Sequence, residues 1–148
     1  MSKKVALVIG ACGGAAHYSA LTLAKLGTHI IGTYDQRADN AEKVKMEIES
    51  CGACAAMMFF DANKTNITLF ARELIVVLSE NFGVDRIDNI VLDTGSISNL
   101  PYGVGKFDPL RFYETHVRIP HLVTEGLNEI LAESGSVILL SSYAKRAS

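Results

Sequence analysis

Short, mostly apolar strand-like runs alternate along this chain with stretches whose apolar positions recur every three or four residues. The runs fall at residues 5–9, 29–33, 54–60, 87–92 and 136–140. The periodic stretches fall at about 14–25, 39–49, 66–80 and 109–132. A short run that is mostly apolar suits a strand buried on both faces, and the longer spacing marks the apolar stripe of a helix. Strands that alternate with helices of three or more turns lie parallel and are joined by right-handed crossovers. The pattern therefore predicts an α/β doubly wound parallel sheet. The punctuation agrees. Gly27 follows the first helix, Asp39 is placed to cap the second, and Gly52 closes it. Asp108-Pro109 reads as an N-cap followed by an N1 proline, and Gly135 precedes the last strand. No repeat, low-complexity tract or composition break divides the series, so residues 1–148 read as one domain.

Composition narrows this further. A hydrophobic content of 49% over 148 residues suits a chain with a sizeable core and doubly covered strands. The formal charge of −2 makes no electrostatic case for nucleic acid or an anionic membrane. The longest apolar runs are far below membrane-spanning length, and no apolar region after MSKK is long enough for a signal peptide. Three cysteines without an export signal point to the reducing cytoplasm.

Chemistry enters at the first unit, KKVALVIGACGGAAH. The strand runs into Gly10, and Ala11 and Cys12 lead to Gly13 and Gly14, where the helical spacing of Ala16, Ala20, Leu23 and Ala24 begins. A buried strand, a glycine turn and a helix N-terminus make an anion site. Glycine lets a pyrophosphate approach the backbone, and the free N–H groups and dipole of the first helical turn favour negative charge. Gly10, Cys12, Gly13, Gly14 and Ala15 are the expected contacts, with Cys12 a small filler whose pKa a helix N-terminus would lower. The bland alternative is a tight turn with no ligand. Asp35 and Arg37 follow the second strand, where such folds read the adenosine ribose. A carboxylate there favours NAD and an arginine favours NADP, so the cofactor is left as NAD or NADP.

Other signals are weaker. Cys51 and Cys54 have the spacing of a redox or zinc half-site, but they stand between a helix end and a strand start, and no further ligands are spaced to match. A structural role is expected for them, and no metal. Ser141 and Ser142 lack a G-x-S-x-G elbow, which argues against acyl transfer. His116 and His121 flank Pro120 on the fourth helix, where packed or exposed histidines are the ordinary reading.

Over its whole length the sequence resembles the short-chain dehydrogenase/reductase family, and it stops partway through that family's pattern. The TGxxxGxG turn of the family falls on residues 9–16, with Gly10 and Gly14 kept, Ile9 for the threonine and Ala16 for the last glycine. The family's adenine-binding acid after the third strand matches Asp61, with Ala62 beside it. Its Asn-Asn-Ala-Gly falls on residues 92–95, which contribute Asp93 and Gly95. The run THVRIPHLVTEGL places His116 at the asparagine of the catalytic tetrad, and SGSVILLSSYA places Ser142 at the catalytic serine. In the family a Tyr-x-x-x-Lys motif follows that serine by about a dozen residues, whereas only residues 143–148 remain here.

The resemblance implies a three-layer Rossmann-like sheet of strand order 3-2-1-4-5 that binds NAD or NADP. It also implies carbonyl–alcohol hydride transfer in a protein that continues past Ser148, and catalytic silence for these residues alone. The alternative is a non-enzymatic module acting as nucleotide sensor or partner subunit. A fifth strand at the sheet edge, and a fourth helix bearing Phe112, Tyr113, Leu122 and Leu127, lead to the expectation of a homo-oligomer.

Overall fold

The computed structural model describes residues 3–35, 38–93 and 109–140. Its elements are β1 (Val5–Ile9), α1 (Gly14–Lys25), β2 (His29–Tyr34), α2 (Ala38–Ser50), β3 (Ala55–Phe59), α3 (Ile67–Val77), β4 (Ile87–Asp93), α4 (Pro109–Tyr113), α5 (Ile119–Gly126) and β5 (Leu131–Leu140). The strands form one five-stranded sheet of order β3-β2-β1-β4-β5, and every pairing is parallel. This is the expected doubly wound sheet.

Alternation along β1 explains how two helical layers share it. Val5, Leu7 and Ile9 join a core of large side chains with Phe70 and Leu74 of α3 and Ile119 and Val123 of α5. Ala6 and Val8 face the other way, onto Ala16, Ala20 and Ala24 of α1 and Val44 and Ile48 of α2. Small residues on both sides of the second interface let α1 sit close to the sheet, which holds its N-terminus over the strand ends. Gly32 of β2 serves the same closeness: a Cβ there would lie 2.9 Å from that of Ala11.

Helix boundaries follow local chemistry in the first half of the chain. Asn66 caps α3 by accepting from the N–H groups of Thr68 and Leu69. Gly27 and Gly52 take the positive φ that ends α1 and α2. Asp39, expected as the cap, is instead the second residue of α2, inside its first turn. Asp108 lies outside the described residues.

The second half departs from expectation at three places. The helix expected across 66–80 ends at Val77 and runs into a π-helical turn, Leu78–Phe82, which buries Leu78 and Phe82. The helix expected across 109–132 is interrupted by a second π turn, Glu114–Arg118, and stops at Gly126. Pro120 has no N–H to give to a carbonyl one turn back, which favours irregular bonding there, and Arg118 pairs with Glu114 across the turn. Finally β5 begins at Leu131, five residues early, by pairing with Ile87 before the register jumps to Asn89–Ser136. Gly135 therefore lies inside β5, where a Cβ would meet the carbonyl oxygen of Asp88 at 2.9 Å. Leu127, expected on an uncovered stripe, is buried in the core at 0% exposure. Tyr113 is exposed, Leu122 is half-buried, and the side chain of Phe112 lies outside the described residues.

Candidate functional site

The glycine turn lies between β1 and α1, at the C-terminal edge of the sheet. Strand order reverses about β1, between β2 and β4, so the turn borders the crevice where open α/β sheets take ligands. Thr33, a buried residue of β2, fixes its start. Its hydroxyl accepts from the N–H of Gly10 at 2.9 Å, and its carbonyl accepts from that of Ala11 at 3.2 Å. Gly10 and Gly14 have φ of 81° and 58°, values that favour glycine. Gly13 is the N-cap of α1 with extended backbone and no side-chain cap, and a Cβ on it would meet nothing within 4 Å.

The first turn of α1 carries the N–H groups that a helix cannot satisfy internally. That of Ala16 donates to Oδ2 of Asp93 at 3.3 Å. Among the described residues those of Gly14 and Ala15 have no acceptor. Two unpaired donors, a positive helix end and open space over Gly13 fit the phosphates of a dinucleotide.

The remaining expected residues distribute as follows. Cys12 is half-buried, and its carbonyl accepts from Asn40 Nδ2 at 3.5 Å. Burial, and secondarily the carboxylate of Asp35, push the Cys12 thiol above its ordinary value of 9.0. The helix end was expected to lower it; desolvation and a like charge win instead. Asp35 thus stands close to the turn. Arg37, Gly95 and Ser142 lie outside the described residues, as do Ser141 and Tyr143.

Asp61 follows β3 at the same edge of the sheet and builds a turn. Its Oδ1 accepts from Asn63 N–H at 2.9 Å, its carbonyl from Thr65 N–H at 2.8 Å, and its own N–H donates to Thr65 Oγ1 at 2.8 Å. Oδ2 keeps its acceptor capacity among the described residues. Ala62 packs partly against the core below. Asp93 ends β4, is 1% exposed and is turned onto the backbone of α1.

His116 is half-buried within the second π turn, and His121 is exposed. Single π turns interrupting a helix recur at functional sites. Cys51 donates to the carbonyl of Glu47, and the N–H of Cys54 donates to His29 Nδ1 at 2.9 Å, so both serve local structure. Among the described residues no group of three potential metal ligands comes together. No helix there is long and apolar enough to cross a membrane.

Sequence reasoning passed over Thr33 and Asn40, although a threonine inside an apolar strand was a readable signal. It also passed over the spacing Tyr-x-x-x-Lys at Tyr102 and Lys106. That pair precedes β5 instead of following Ser142, and it lies outside the described residues.

No protein-family model matches the chain. It is 30% identical over 149 residues to the short chain dehydrogenase/reductase nsrJ of Aspergillus novofumigatus, covering 97% of this chain and 53% of that protein. Among solved structures, the promiscuous reductase LugOII, which catalyses keto-reduction at C1 during lugdunomycin biosynthesis, superposes with a TM-score of 0.77 at 22% identity, over 99% of this chain and 62% of that one. The landomycin C-6 ketoreductase LanV, solved with bound NADP and rabelomycin, gives 0.76 at 22% identity, over 99% and 61%. The chain thus spans about half the length of the proteins it matches, consistent with their N-terminal part, and it has the short-chain dehydrogenase/reductase fold.

Proposed function

We propose that this chain is the nicotinamide-dinucleotide-binding part of a short-chain dehydrogenase/reductase, an oxidoreductase that interconverts a carbonyl and an alcohol. The observation that carries the reading is the first turn of α1, where the N–H groups of Gly14 and Ala15 have no acceptor among the described residues and lie beneath open space at Gly13. Bound there, the dinucleotide would supply hydride chemistry, and the chain would supply its grip. Gly10, Cys12, Gly13, Gly14 and Ala15 hold the pyrophosphate in this reading, and Asp61 with Ala62 faces the adenine. Asp35 meets the adenosine ribose, with Arg37 next to it. Because the Asp35 carboxylate stands near the turn, a 2′-phosphate entering there meets negative charge, and NADH is expected to bind more tightly than NADPH. By the family pattern Gly95 counts among the cofactor-binding residues, and Ser142 and His116 fall at the serine and asparagine positions of the catalytic group.

A polypeptide of these 148 residues is expected to bind cofactor without reducing ketones, since no Tyr-x-x-x-Lys follows Ser142 within them. General acid–base catalysis of that kind is worth about 10²–10⁴ in rate. A second reading, a nucleotide-sensing or partner module without chemistry of its own, is favoured by His116 standing where the family has asparagine. Calorimetric titration with NADH and NADPH tests the binding, and a ketone and aldehyde panel tests the silence. Saturable binding of either dinucleotide supports the reading; no binding of either at millimolar concentration overturns it. Turnover on the panel overturns the silence.

A further inference from the structure

We propose that Asp93 is a built-in negative charge that loosens the dinucleotide site, holding the turn of α1 in place while lowering that turn's affinity for phosphate. The inference rests on the cofactor reading above and concerns the strength of the grip.

Three observations meet at this residue. Asp93 ends β4 in the crevice beside β1 and is 1% exposed, so its carboxylate is shielded from bulk water. Its Oδ2 accepts from the N–H of Ala16 at 3.3 Å, across 77 residues of sequence. The N-cap of α1, Gly13, supplies no side-chain acceptor of its own. A carboxylate delivered from another strand therefore does the work of a cap, taking one of the three donors in the first turn.

That placement has a cost for any second anion. A phosphate held by the N–H groups of Gly14 and Ala15 lies within one helical turn of the group bonded to Ala16. Like charges at that distance, inside a partly buried crevice, are poorly screened by salt. The positive helix end is a single resource shared between Asp93 and the ligand. An amide at this position, as in the pattern the sequence resembles, would accept the same N–H through its oxygen and bring no charge. Asp93→Asn therefore separates the two roles of the residue, keeping the tie and removing the repulsion.

The test measures the affinity of the intact chain for inorganic pyrophosphate and for NADH by calorimetry, in wild type and in D93N. D93N is expected to fold and to bind pyrophosphate about tenfold more tightly than wild type. A merely structural Asp93 would not move this readout upward. Equal or weaker pyrophosphate binding by D93N, or none by either protein, overturns the proposal. If D93N does not fold, Asp93→Ser is read in the same assay, and failure of both uncharged variants to fold also overturns it. The NADH arm is separate. Tighter pyrophosphate binding without NADH binding in either protein sustains the role of Asp93 and sinks the cofactor reading.

Discussion

Gly13 and Gly14 are neighbours with opposite tolerances. Gly13 has φ −152° and empty space where a side chain would go. Gly13→Ser should keep or slightly raise folding stability, by about 0.2–0.5 kcal/mol, because serine can cap a donor of the next turn and glycine is already a fair cap residue. Gly14 has φ 58°, where a side chain costs roughly 1–2 kcal/mol, so Gly14→Asp should lower the melting temperature. Its added charge should also abolish NADH binding in a titration. Cys12 gives a pH test. Its thiol is raised above 9.0, so folding favours the protonated form. The stability it contributes is complete below that pH and is lost as pH rises through the folded-state value. Alkylation followed by mass spectrometry should modify exposed Cys54 well before Cys12 at pH 8, and NADH should slow Cys12 further; equal rates would contradict the burial. The glycines were legible in sequence because the turn interrupts an apolar run. The Asp93–Ala16 bond was not, since nothing local at either residue signals a partner 77 positions away.

Among the elements, β1 and α1 match their expected bounds of 5–9 and 14–25, because each is marked by its own residues: an apolar run, a glycine turn, a helical alanine stripe, Gly27. The end of α5 was missed for the opposite reason. Gly126 stops the helix where a Cβ would press within 2.4 Å of Ile67 Cγ1, a contact with α3 that no local spacing reveals. Leu127, Ile130 and Leu131 continue the apolar rhythm beyond it and imitate further helix. Gly126→Val is accordingly expected to cost about 1–3 kcal/mol in urea denaturation, by overpacking against Ile67. Asn66→Ala should cost about 1 kcal/mol through loss of the α3 cap, with NADH affinity unchanged. A loss of affinity there would mean that the turn from Asp61 to Asn66 depends on the cap.

At the scale of the whole molecule, the parallel doubly wound sheet came from the alternation of strands and helices and its order from the family resemblance, whereas assembly depends on surfaces that sequence describes poorly. Ile138 and Leu139 of β5 are 39% and 55% exposed at the end of the sheet order, and Leu110, Tyr113 and Val117 are exposed along α4 and the turn after it. Burying such side chains is worth roughly 1.5–3 kcal/mol each, which leads to the proposal of a homo-oligomer built on β5, on α4 or on both. Light scattering at tens of micromolar should give at least twice the 16.0 kDa of the chain, and a stable monomer would contradict it. The central claim is that this sheet presents the N-terminus of α1 to the phosphates of a nicotinamide dinucleotide. Backbone amide NMR during titration with NADH reads that contact at the atoms concerned. The account predicts saturable shifts largest at Gly13, Gly14 and Ala15, with a second group at Asp61 and Ala62; unmoved amides at these positions in millimolar NADH and NADPH would contradict it.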